Sequence, residues 1–254
     1  MPNWVKNALT IKGKNVQKIF DTIMVKSEGS SHNQYNLDFN KIIPMPESLH
    51  VSSSSTSETC LKLYLCKHPK LLLNLKGFNK YLSSLVMKAS YAETLANIIS
   101  YSEYKDEQAV LALGEKLYNN IIQYGYTDWY HWSIDNWGTK WNASESFVKR
   151  PSSKATSFTV WFDTAWSAPI PILEKLVTMF PEHSLECEWA DEDLGCNCGH
   201  VEYDNYQATG GYLDNQSKEA YELAFKLWDI DKSLYKFNEE TGTYEWVEPE
   251  EVTE

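Results

Sequence analysis

Two carboxylates and a lysine, Asp135, Asp163 and Lys140, fall within one tryptophan-rich region of a 254-residue chain. Around them stand Asn136, Trp137, Trp141, Trp161, Trp166 and Ser167. A lysine beside two carboxylates has the parts of an acid, a base or a charge stabiliser, because burial and pairing move the pKa of each. The same residues also have a structural use. Asp and Asn close turns and bulges, Gly138 permits an unusual backbone angle, and indoles fill one side of a sheet. No nucleophile, base and orienting group stand at a spacing that specifies a catalytic set, so no residue is assigned a catalytic role.

Cys187, Cys196, Cys198 and His200 form a second constellation. Thiolates and imidazole are zinc ligands, and zinc is the one cofactor that these residues suggest. The Cys196-Asn197-Cys198-Gly199-His200 spacing is tighter than the two separated pairs of common zinc sites, and buried or idle thiols are the simpler reading. The sequence holds no phosphate-cradling glycine loop and no signature of a serine hydrolase or cysteine protease.

Glu186, Glu188, Asp191, Glu192 and Asp193 open an acidic region. The formal net charge is −12, unevenly placed: residues 186–254 hold 19 Asp and Glu against 4 Lys, and residues 1–185 carry a balance of +3. An acidic surface of this kind suits a basic protein partner, or serves solubility. Arg150 is the sole arginine, which argues against sequence-reading DNA recognition, where arginine makes the bidentate contacts.

The elements that must carry these groups follow from periodicity. Residues 7–11 have strand character, and Val16, Ile19, Phe20 and Ile23 then mark an amphipathic helix. Residues 27–31 read as a loop and residues 35–43 as a second strand, stopped by Pro44 and Pro46. A serine-rich stretch at 52–57 reads as a mobile linker. From there to residue 124 helical spacings succeed one another: Leu61 and Leu65, then Tyr81, Leu82, Leu85 and Val86, then Val110, Leu113, Leu117 and Ile121.

After Gly125 the period changes to two. Tyr130, Trp132 and Ile134 alternate with His131, Ser133 and Asp135; Phe158, Val160 and Phe162 alternate with Thr159, Trp161 and Asp163. Residues 128–141 and 155–166 are therefore expected to form a strand pair. A helix opens at Pro169 and Pro171 and carries Leu173, Leu176, Val177 and Phe180 on one face. Leu185, Cys187 and Trp189 alternate as a further strand. Extra strands are expected at 199–204 and 206–213, and a last helix at 218–228 has two apolar faces, of which the second needs a cover. Tyr244 and Trp246 are expected to anchor the acidic tail, with 249–254 frayed.

This order predicts an α+β fold: a ferredoxin-like βαββαβ antiparallel sheet with an all-helical insertion, extra C-terminal strands and a helix. The domain expected is 1–50 with 125–230, the insertion 57–124, and the acidic tail 231–254. His131, Asp135, Thr159, Trp161, Asp163, Glu186 and Glu188 are expected together on an outer sheet face suited to a protein interface. No apolar run is long enough to span a membrane, no secretory signal opens the chain, and five cysteines read as reduced thiols. These point to the cytoplasm.

Four segments resemble one family: Met1-Pro2-Asn3-Trp4, residues 39–46 (FNKIIPMP), residues 136–141 (NWGTKW) and residues 162–169 (FDTAWSAP). They resemble the YubB-like family of ferredoxin-like proteins carried by plasmids, prophages and phages. The resemblance implies the fold and a mobile-element setting, in a host bacterial cytoplasm, but no established activity. With the acidity, it leads to the expectation of a non-enzymatic protein that binds and inhibits a host or defence protein, such as a CRISPR effector, through an acidic surface. Two alternatives stay open. One is a metal-dependent or other enzyme acting on nucleic acid through Asp135, Lys140 and Asp163; the other is a structural module that self-associates through open sheet edges.

Overall fold

The computed structural model describes residues 3–27, 34–75 and 90–247. The expectations for residues 28–31, for Tyr81, Leu82, Leu85 and Val86, and for 249–254 lie outside these residues. The chain divides into two compact units: Met45–Trp132, and the described residues on either side of that segment.

Ten strands lie among the described residues of the flanking unit. The first five are β1 (Trp4–Lys12), β2 (Met24–Lys26), β3 (Tyr35–Leu37), β4 (Ser144–Phe147) and β5 (Ser157–Ala165). The others are β6 (Ser184–Asp191), β7 (Gly199–Asp204), β8 (Gln207–Tyr212), β9 (Tyr235–Asn238) and β10 (Thr243–Trp246). Six form one sheet in the order β4-β5-β1-β6-β7-β8, and every neighbouring pair is antiparallel. β1, β5 and β6, with the helices Val16–Ile23 and Ile170–Met179, have the connectivity of the βαββαβ motif.

Alternation along β1 sets the two faces of this sheet. Val5, Asn7, Leu9 and Ile11 share the buried face; Trp4, Lys6, Ala8 and Thr10 share the other. Phe158, Val160 and Phe162 of β5 and Leu185, Cys187 and Trp189 of β6 join the buried face. Helix Val16–Ile23 covers it with the predicted stripe of Val16, Ile19, Phe20 and Ile23, and Phe20 meets Phe158 edge-on at 5.6 Å.

Three expectations need correction. Residues 128–141 are not a strand. Trp129–Trp137 is a helix, started by Asp128, whose carboxylate accepts from the Tyr130 N–H at 2.9 Å, and ended at Gly138, whose φ of 78° suits a helix C-terminus. Trp132, Ser133 and Trp137 are its buried residues, a helical spacing that a short aromatic run hides behind apparent alternation.

The second expected strand, residues 35–43, is cut short. β3 pairs only with β2, and Asp38 then turns the chain by accepting from the Asn40 N–H at 3.0 Å and the Asn142 side chain at 2.8 Å. β4 fills the second strand position of the sheet, so the helical run precedes that strand rather than following it. The serine stretch is not a linker either. Ser54 caps the helix Ser55–Lys67 by accepting from the Ser57 N–H at 3.2 Å, and the Ser57 hydroxyl donates to the Ser52 carbonyl at 2.6 Å.

In the Met45–Trp132 unit, the helices Ser55–Lys67 and Glu107–Tyr124 share a core of Leu61, Leu65, Leu117, Tyr118 and Ile121, closed by Leu75. Gly114 lets them approach: a Cβ there would lie 2.5 Å from the Cys60 carbonyl oxygen.

The C-terminal helix Lys218–Trp228 uses both apolar faces. Ala220, Ala224 and Leu227 pack with Ala8 and Ala190 of the sheet, where small side chains permit close contact. Its other side is covered by the β9–β10 hairpin, with Phe225 at 4.9 Å from Tyr235 and 5.2 Å from Tyr244. Tyr244 anchors this hairpin at 8% exposure, whereas Trp246, at 57%, does not. No helix among the described residues is long and apolar enough to cross a membrane.

Candidate functional site

One end of the sheet gathers four indoles, two lysines and three carboxylates. Trp4 and Lys6 come from β1, and Asp163 from β5, opposite Lys6 in register. Their side chains rise on the face that also carries the Lys218–Trp228 helix. The Lys6 ammonium lies 4.7 Å from the Trp228 ring centre and 3.8 Å from the Asp163 carboxylate. Trp4, Ser144, Glu145, Asp163, Glu192 and Trp228 line a cleft of about 200 Å³.

A row of aromatic and cationic groups continues from this cleft. Trp4 packs on Trp141 with ring centres 5.8 Å apart, and the Lys140 ammonium lies 4.7 Å from the ring centres of both Trp141 and Trp166. Hydrogen bonds fix the segment that presents Lys140. The Thr139 hydroxyl donates to the Ala165 carbonyl at 2.7 Å, and the Ser167 hydroxyl donates to the Gly138 carbonyl at 2.5 Å.

Two residues of the site have strained backbone. Trp166 has φ 81° and Glu145 has φ 45°, in the left-handed region that side-chain-bearing residues avoid. Glu145 sits where the β4–β5 register shifts between Ser144 and Phe147, a bulge that turns it toward the cleft. Trp166 is held by its N–H, which donates to the Asn3 carbonyl at 2.9 Å. Such strain persists only where neighbours over-determine it, and it recurs at ligand-contacting sites.

Electrostatics in the cleft favour a cation. Burial pushes the Asp163 carboxyl above its ordinary range; the Lys6 ammonium pulls it down by less, and Glu145 pushes it up further. Among the described residues neither Glu145 nor Glu192 is in an ion pair.

The predicted site residues separate into groups. Lys140, Trp141, Asp163, Trp166 and Glu192 meet in the cleft and its aromatic row. Asp135 is exposed on the Trp129–Trp137 helix and does not line the cleft; Asn136 is half-buried beside it. Trp137 is structural, buried against Phe39 with its indole N–H donating to the Ile43 carbonyl at 2.8 Å. Of the expected outer face, His131 and Asp135 are helical instead, while Trp161 lies on the same sheet face as Asp163 but packs into the cluster under the C-terminal helix. Thr159, Asp163, Glu186 and Glu188 share that sheet face, and Glu186 pairs with Lys12 at 2.7 Å, which lowers its pKa. Glu188 pairs with Lys226 at 2.6 Å.

Asp191 is buried and organises the loop after β6. Its carboxylate accepts from the Asp193 N–H at 2.9 Å, from Asn197 at 3.0 Å and from Asn3 at 3.3 Å, while Asp193 itself is exposed. Trp4, Lys6, Ser144, Glu145 and Trp228 complete the site without having been singled out as site residues from the sequence. The pair Trp4 and Lys6, two apart on a strand, carried the one signal that could have found them.

The four proposed zinc ligands do not converge. Cys187 points to the buried sheet face and His200, on β7, to the opposite one, since Cys187 pairs with Val201 and Glu188 with His200. Burial pushes the Cys198 thiol up to about 11, and the Cys187 and Cys196 thiols also upward, against the thiolate form that zinc needs. Among the described residues no group of three or more His, Cys, Asp or Glu is placed to hold a metal ion.

No curated protein matches the chain. A crystal structure of a protein Api92 from Yersinia pseudotuberculosis aligns with 84% of this chain and 99% of that one, at 10% identity and a TM-score of 0.39. The sheet-bearing unit is an α+β, ferredoxin-like domain: residues 136–247 match the family described as the ferredoxin-like domain in Api92-like protein, a span that holds every residue of the site except Trp4 and Lys6 of β1.

Proposed function

We propose that this chain is a non-enzymatic binding protein of a mobile genetic element, acting in a host bacterial cytoplasm. It binds a host or defence protein with a basic, nucleic-acid-handling surface, such as a CRISPR effector, and inhibits it by covering that surface. The observation that carries this reading is the cleft at the sheet end, where Glu145, Asp163 and Glu192 stand with the Lys6 ammonium between Trp4 and Trp228. Half-buried indoles ringed by exposed charges are the composition of a protein-binding surface.

The balance of 19 acids to 4 lysines in residues 186–254 extends the same field, and two of those lysines, Lys226 and Lys232, are engaged by Glu188 and Glu222. The resemblance of four segments to the YubB-like family supports the mobile-element setting. Asp135 does not line the cleft, which supports the binding reading over the enzymatic alternative.

Co-purification from plasmid- or phage-bearing cells, with mass spectrometry, tests the proposal. A basic nucleic-acid-handling protein should be retained at low salt, released as salt rises, and lost with Glu192→Lys/Asp193→Lys. Addition of the purified chain should then block that partner's nucleic-acid binding. Equal retention by wild type and the charge-reversed variant would refute the proposal.

A further inference from the structure

The cleft sets indoles beside carboxylates twice, and among the described residues one of the two sets holds a cation of the chain's own. In that set, Trp228 and Asp163 hold the Lys6 ammonium, 4.7 Å from the ring centre and 3.8 Å from the carboxylate. Trp4, Glu145 and Glu192 line the rest of the same cleft, Glu145 near enough to Asp163 to raise its pKa. Trp141 packs against Trp4 and backs it, and Glu192 is tied to the same strand by its N–H, which donates to the Trp4 carbonyl at 2.9 Å. Among the described residues no ion pair engages Glu145 or Glu192.

We infer that the Trp4–Glu145–Glu192 half of the cleft receives one arginine side chain of the protein partner, with the guanidinium against the Trp4 indole and hydrogen-bonded to the two glutamates. Guanidinium suits this place better than ammonium. It is planar, more weakly hydrated, stacks on aromatic rings and presents donors in a fork that carboxylates accept. Size points the same way. A cleft of about 200 Å³ is below the roughly 300–1,000 Å³ of small-molecule sites, and fits one side chain rather than a nucleotide or cofactor. The backbone cost at Glu145 is then accounted for, since the left-handed bulge is what brings its carboxylate to the cleft.

The inference deepens the proposed function and rests on it for the partner, but its test does not need the partner. Acetyl-Gly-Arg-Gly-amide is titrated to millimolar concentration while the indole N–H signals of the full chain are followed by NMR. The Trp4 signal, assigned with Trp4→Phe, should shift saturably, and the citrulline peptide, which has the same shape without charge, should leave it in place. Glu145→Gln/Glu192→Gln should weaken arginine-peptide binding about fivefold or more, with its other indole signals unchanged as evidence of folding.

A Trp4 signal that does not move, or that moves equally with citrulline or in the double variant, overturns the inference. If the arginine peptide binds as expected and no basic partner is retained from cells, the proposed function falls and the inference stands. If a basic partner is retained equally by the wild type and by Glu145→Gln/Glu192→Gln, the inference falls and the proposed function stands.

Discussion

Asn197 holds Trp166 from the loop after β6: its side-chain amide donates at 2.9 Å to the Trp166 carbonyl and at 3.0 Å to the Asp191 carboxylate. Both residues have positive φ, 47° for Asn197 and 81° for Trp166. Asparagine tolerates that region and tryptophan does not, so the tolerant residue clamps the strained one. The result is an indole 38% exposed at the end of β5, stacked with Lys140.

The strain at Trp166 reverses the usual order of glycine and alanine. Glycine ordinarily costs stability relative to alanine, because it loses more freedom on folding. At a left-handed position alanine bears the steric penalty instead, so Trp166→Gly should be about 1 kcal/mol more stable than Trp166→Ala in urea denaturation. Alanine equal to or above glycine would mean that the left-handed backbone does not persist without the indole.

Asp163 should give a pH dependence of definite sign. Its carboxyl is pushed upward in the folded state, by burial first, so the fold retains a proton that the unfolded chain releases near the ordinary aspartate pKa of about 3.9. Stability contributed by this group is therefore present below that value, is lost as pH rises through the folded pKa, and is flat above it. Asp163→Asn removes this slope, so the variant should gain on wild type as pH rises across the window, as read from urea midpoints. A difference independent of pH would contradict the upward shift.

Much of this was legible in the sequence, and the failures have physical causes. Helix Val16–Ile23 and strands β5, β6 and β7 declare their period over enough residues to be unambiguous. Trp129–Trp137 does not, because large aromatics at nearly every position make alternation and helical spacing coincide, and Asp128 as a cap was the deciding signal. β4 was invisible because it is four residues long with a bulge, and pairing with β5 rather than its own pattern makes it a strand. The site was half legible for the same reason. Lys140, Trp141, Asp163 and Trp166 are close in sequence, and Glu145 lies among them but is aimed by a bulge that its pattern does not announce, whereas Trp4, Lys6 and Trp228 reach them only through sheet order and helix docking.

The Met45–Trp132 unit offers a test of close helix packing. In the middle of Glu107–Tyr124, alanine should exceed glycine by about 1 kcal/mol on helix propensity alone. At Gly114, however, the added carbon would stand 2.5 Å from the Cys60 carbonyl oxygen and 2.5 Å from the Tyr64 Cβ, and backbone cannot swing aside. Overpacking of this kind costs about 1–3 kcal/mol and outweighs the propensity gain. Gly114→Ala should therefore lower stability by roughly 1–2 kcal/mol in chemical denaturation. A stabilised variant would show that the two helices can separate without cost.

The C-terminal hairpin distinguishes two aromatic residues that look equivalent in sequence. Tyr244 rests among Tyr221, Phe225 and Phe237 at ring-centre distances of 5.5, 5.2 and 5.1 Å, and its hydroxyl donates to Glu222 at 3.1 Å. Trp246, two residues on, is 57% exposed. Removing a buried aromatic ring costs about 3 kcal/mol or more, and this ring covers the second apolar face of Lys218–Trp228. Tyr244→Ala should therefore release the β9–β10 hairpin, expose Phe225 and make residues 229–247 sensitive to limited proteolysis, while Trp246→Ala leaves the cleavage pattern unchanged. Because Trp228 leaves the same helix toward the cleft and holds Lys6, the Tyr244→Ala variant should also shift the Trp228 indole N–H signal. A hairpin cleaved in Tyr244→Ala with the Trp228 signal unmoved would instead show that the helix docks on the sheet through Ala220, Ala224 and Leu227 alone.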